Sequence, residues 1–173
     1  MKIDFRQIVL DHFDTLRDAE SKKISLFDIG LFFGVPMALA VITYFFAITF
    51  DRDVYNVSIT FFGIFVALLL NVQVAIFGIF QRKVDQPADP KLLPGHKVRM
   101  TKRQDLLSEL NANLSYLTLV CCVALIAFLS LYTFRNLRPE ASALTVLFYA
   151  HFLLSLMMTV KRTHVLFQQE YRA

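Results

Sequence analysis

The sequence is poor in the residues that chemistry usually needs. Its 173 residues include two cysteines and five glycines. Cys121 and Cys122 are adjacent inside an apolar run. Adjacent thiols lack zinc-ligand spacing and cannot form a disulfide framework, so both read as packing residues. There is no phosphate-binding glycine loop, no HExxH, no pair of acids at a metal spacing and no CxxCH haem motif. The expectation is therefore no catalytic residue, no metal ligand, no cofactor and no enzyme. Charge is missing as well. Val54 to Gln81 runs 28 residues without an acidic or basic side chain.

A helix rises about 1.5 Å per residue, so roughly 20 apolar residues cross a hydrocarbon core of about 30 Å. Four runs meet this test, with expected spans at 27–50, 57–80, 114–134 and 142–160. Hydrophobic residues make up 56% of the chain and mean hydropathy is +0.52, above the usual balance of a soluble domain. The expected fold is all-α, one polytopic membrane domain over 27–160 with a cytoplasmic loop at 81–113. A cytoplasmic amphipathic helix at 1–26 precedes it, and a cytoplasmic helical tail at 161–173 follows. The first 26 residues carry five acids and five bases, unlike the basic start and short apolar core of a cleavable signal. The first span is expected to stay in the mature protein.

Orientation follows from Lys and Arg. Fifteen of the eighteen fall in the N-terminal segment, the long loop and the tail, and three fall in the two short loops. The positive-inside rule then puts both termini in the cytoplasm, with Tyr55 and Tyr132 near the outer interface. The expected location is a bacterial inner membrane. The net charge of +4 reflects this asymmetry and is not read as nucleic-acid binding. The basic cluster Lys97, Arg99, Lys102 and Arg103 reads as a topology determinant in contact with headgroups.

In residues 1–26, Phe5, Ile8, Val9, Phe13 and Leu16 share one helical face, opposite Asp4, Asp11, Asp14 and Asp18. The balanced charge favours docking on protein over anionic lipid. In the first span, Gly30 and Gly34 form a GxxxG pair that suits close intramolecular helix packing, or an oligomer seam. Pro36 is expected to kink that span. The short connection DRDVYN is expected to make the first two spans antiparallel neighbours. Asn71 and Gln73 lie within the second span and need hydrogen-bond partners there. From about Met100, a leucine stripe at 106, 107, 110, 114 and 117 suggests that the third helix starts in the cytoplasm.

The spans hold no acid or base beyond Asp28, which weakens a proton-coupled transporter. His151 is the exception. It reads either as a neutral histidine bonded to an amide or a carbonyl, or with Asn71 and Gln73 as a polar core or pore lining. Ser155 lies one turn away, but no acid orients the histidine and no oxyanion motif accompanies it. His12, His96 and His164 read as solvated. In the tail, Lys161, Arg162, Val165, Phe167 and Arg172 are candidate partner contacts.

The apolar runs at Phe27, Val57, Leu114 and Ser142, followed by the basic tail VKRTHVLFQQEYRA, resemble the KwaA family, the membrane subunits of the Kiwa anti-phage defence system. The resemblance is one of architecture and spans nearly the whole chain. It implies a homo-oligomer, a tetramer, and a soluble cytoplasmic partner of the KwaB type that binds DNA. It also implies a sensor or scaffold that detects envelope disturbance during infection. Two other classes stay open: a pore-forming effector that depolarises the membrane, and a small transporter or channel. A pore would aim Asn71, Gln73 or His151 at a central axis, whereas a scaffold would bond them within one chain.

Overall fold

The computed structural model describes residues 5–15, 29–81, 93–134 and 138–171. These are almost entirely helical, and no strand occurs among them. Helix α1 is Phe5–Thr15. A five-residue π turn, Gly30–Gly34, leads directly into α2, Val35–Phe45. Then come α3, Arg52–Gln81, α4, Leu93–Thr133, and α5, Pro139–Tyr171. α3, α4 and the Pro139–Val165 part of α5 are long and apolar enough to cross a membrane, which marks the chain as a membrane protein. The π turn and α2 form a shorter apolar helix. At about 1.5 Å per residue, α4 is roughly 60 Å long, twice a hydrocarbon core of about 30 Å.

The tightest pairing is α3 against α4. Tyr55, Phe62, Leu69 and Ile76 recur every seventh residue on α3, and all are buried. They face Leu107, Leu110, Leu114, Leu117, Cys121, Ala124 and Phe128 on α4. That alternating three–four spacing is the seam of a left-handed helix pair. Tyr55 is wholly buried in this seam, near the Arg52 end of α3. Tyr132 does sit at that end, half-buried, with the Arg52 guanidinium 4.0 Å above its ring.

α5 joins the pair through aromatic rings. Phe61, Phe62 and Phe65 of α3 meet Tyr149 and Phe152 of α5 at centroid separations of 4.9–5.8 Å. The Tyr149 hydroxyl donates to Ser58 Oγ at 3.0 Å.

The first two apolar helices are not neighbours. α2 packs on α5 and makes no backbone approach to α3, despite the short connection between them. This corrects the expectation drawn from that connection. The physical reason is where the connection is tied: Phe50 N–H donates to Ser142 Oγ, at the start of α5, at 2.8 Å. Ala47, at φ 49°, turns the chain in the left-handed region to reach it. α5 therefore stands between α2 and α3, and an apolar slot remains open between those two.

Candidate functional site

The densest polar structure lies where α1, the π turn, α4 and α5 meet. It begins with Pro36. An α-helical residue at position 36 would donate its N–H to the carbonyl of Phe32, four residues earlier, and proline has no N–H to give. The helix responds by widening: Val35 N–H bonds back to Gly30 O, one residue further than in an α-helix. The bond that Pro36 cannot make is thus answered by a π turn. The Phe32 carbonyl is supplied instead by His151 Nδ1, at 2.9 Å.

That bond fixes the tautomer of His151. A carbonyl only accepts, so Nδ1 carries the proton and donates. Nε2 then accepts from the Tyr116 hydroxyl, 2.8 Å away. Phe33, also in the π turn, lies against the His151 ring at 4.9 Å and stacks on Phe13 of α1 at 5.4 Å. His151 therefore bonds within one chain, as a neutral imidazole spent on structure.

The cluster continues through His12. This side chain is 1% exposed, the one buried residue of α1, which corrects its reading as solvated. Its ring stacks on Tyr116, with centroids 3.8 Å apart and planes 2° from parallel. Its Nδ1 meets Asn113 Oδ1 at 2.8 Å. Thr15 Oγ1 lies 3.0 Å from the same oxygen and 2.7 Å from the His12 carbonyl. The buried His12 Nε2 has no hydrogen-bond partner among the described residues. Burial pushes the imidazole down from 6.5 to about 4, against the Asn113 bond, and the nearby Arg162 charge pushes the same way. A proton added at Nε2 would meet no acceptor there.

Arg162 of α5 closes the cluster from outside. Its guanidinium pairs with Glu109 of α4 at 3.2 Å and donates to the Thr15 carbonyl at the end of α1. Arg162 is thus engaged inside the chain, with part of its side chain still exposed. Lys161, Val165 and Phe167 are exposed, and Arg172 lies outside the described residues, as do Asp4, Leu16 and Asp18.

Other expected positions divide. Gln73 Nε2 donates to Ser115 Oγ at 2.8 Å, linking α3 to α4 away from His151. Asn71 is exposed on α3, so its amide does not belong to a shared polar core with the other two. Gly30 and Gly34 are exposed, and a Cβ built on either would meet nothing within 4 Å, so the close intramolecular packing expected there is not found among the described residues. Ser155 is buried, but its Oγ makes no bond to His151 or to any other described residue. The described residues contain no group of three or more His, Cys, Asp or Glu able to hold a metal.

Tyr116, Asn113, Glu109 and Thr15 were missed from sequence. One signal was available: Asn113 and Tyr116 are three apart, hence on one face of α4. Within the cluster, both His151 nitrogens are occupied, by the Phe32 carbonyl and the Tyr116 hydroxyl. The cluster is built to hold four elements together. No protein-family model, curated protein or solved structure matches the chain.

Proposed function

We propose that the chain is a multi-pass platform of a bacterial inner membrane, with four spans and both termini inside, which holds a soluble cytoplasmic partner and reports bilayer disturbance to it. The observation that carries this reading is the chain of contacts from the π turn through His151, Tyr116 and His12 to α1. A change of tilt in the first apolar helix would move the Phe32 carbonyl, and with it the bed on which α1 lies. Single-turn π bulges inside α-helices occur frequently at functional sites. The projecting parts of α4 and α5, clamped by Arg162 and Glu109, supply a structured surface on the same side. The architectural resemblance to Kiwa membrane subunits supplies the finer terms: a homo-oligomer, a DNA-binding partner and an anti-phage role.

A pore remains the second reading, and Asn71 favours it. Its amide is exposed on an apolar helix face, where a central axis or a second copy would satisfy it. Gln73 and His151, bonded within one chain, argue the other way.

The test uses the exposed tail. Lys161→Glu, Val165→Asp and Phe167→Asp together leave Arg162 and the α1 clamp untouched. The platform reading expects the triple variant to insert and assemble normally while losing both a defined co-purifying protein and protection against phage. Ion flux through proteoliposomes of the partner-free protein, with full protection kept by the variant, would replace the platform with an autonomous pore.

A further inference from the structure

The slot between α2 and α3 is an apolar cavity of about 730 Å³. Val35 and Leu39 form one wall, Val54 and Val57 the other, and α5 is the floor. The polar groups of that floor are spent elsewhere. Thr145 Oγ1 donates to the Ala141 carbonyl of its own helix, and the Tyr149 hydroxyl donates to Ser58. One charged side chain lines the slot: Asp53, in the first turn of α3, at the end where the α2–α3 connection lies. The neighbouring Arg52 does not neutralise that end of the slot, because its guanidinium lies over Tyr132 of α4. A long apolar channel with one acid at its mouth has the polarity of an amphiphile with a cationic head.

We propose that this slot binds a bilayer phospholipid carrying a primary amine headgroup, phosphatidylethanolamine, with an acyl chain along α5 and the amine at Asp53. The charge at Asp53 favours a cationic head over an apolar helix from a second copy. From Thr145 to Leu154 the floor is roughly 14 Å long, room for a single extended acyl chain laid along α5. Slots of roughly 300–1,000 Å³ are those that take small ligands. An anionic headgroup would meet Asp53 with like charge. The proposal depends on the chain lying in a bilayer and not on any cytoplasmic partner, so its failure leaves the platform reading standing.

The experiment reconstitutes the full chain in vesicles of phosphatidylethanolamine and phosphatidylglycerol. Each sample carries a trace of one of the two lipids with a photoactivatable diazirine on its acyl chain. Adducts are mapped by peptide mass spectrometry. The expected result is slot adducts favouring the ethanolamine probe by about fivefold, the upper range for one exposed charge pair. Asp53→Asn should bring the two probes level. Leu153→Trp, placed at an exposed floor position, should remove slot adducts while those at Ile64 and Val74 persist. The melting temperature of each variant in detergent checks that it is folded. Equal labelling by the two probes in the unaltered chain overturns the headgroup assignment. An unlabelled slot, or a Leu153→Cys variant that cross-links two copies through that position, overturns lipid binding altogether.

Discussion

Acidification should loosen α1. His12 has a pKa of about 4 when docked and 6.5 as its ordinary value. Because the docked value is the lower, the undocked state binds the proton first. Docking is at full strength above about pH 6.5, weakens as pH falls towards 4, and changes no further below that. The full difference is about 3 kcal/mol, and at pH 5 the loss is already about 2 kcal/mol, roughly thirtyfold in the docking equilibrium. Hydrogen exchange of the α1 amides in nanodiscs at pH 7.5 and pH 5, corrected for intrinsic rates, reads this directly. The control is His12→Phe, which keeps a ring over Tyr116 and removes the titration. It should dock less well at pH 7.5, by about 1 kcal/mol for the lost bond to Asn113, and show little pH slope. Equal protection of α1 at both pH values in the unaltered chain, or an undiminished slope in His12→Phe, refutes the argument that burial holds His12 neutral.

Three further outcomes follow from the same geometry. His151→Phe should lower thermal stability through loss of the bonds to Phe32 and Tyr116, about 1 kcal/mol or more, and the penalty should shrink in a Pro36→Ala background, where residue 36 again has an N–H for the Phe32 carbonyl. A double-mutant cycle with no coupling energy would separate the proline from the histidine. Asn71→Leu should change the stability of the isolated chain by no more than about 0.5 kcal/mol, and it should weaken copy-to-copy cross-linking through Val74→Cys if the amide lies at an oligomer seam. Phe62→Ala, at the crossing of α3, α4 and α5, should cost about 3–5 kcal/mol in a denaturation assay, more than any single change on the exposed faces.

The apolar helices were legible because membrane crossing is a one-dimensional requirement. Length and absence of charge along Val54–Gln81 are enough to state it, and no other part of the chain has to be known. The α4 seam was partly legible for a related reason: Leu107, Leu110, Leu114 and Leu117 repeat with helical period, whatever helix covers them. The polar cluster was not. His12 is a lone histidine among acids, and its polarity predicted solvent. It is buried because Tyr116, 104 residues later, offers a ring of matching shape and Asn113 offers an acceptor. In the same way, Pro36 announced a broken bond, but not that His151 would supply the missing donor.

The sequence by itself determined that the chain is helical and apolar in blocks, and that a leucine stripe of α4 would be covered, since hydrophobicity and periodicity are properties of each segment alone. Only the tertiary structure decided which segments meet. Sequence order suggested that α2 and α3 would pair. α5 stands between them instead, because Ser142 holds their connection and the rings of Tyr149 and Phe152 fill the space beside α3. Partner choice depends on the shape and hydrogen-bonding capacity of two surfaces at once, and neither surface carries the identity of the other in its own residues.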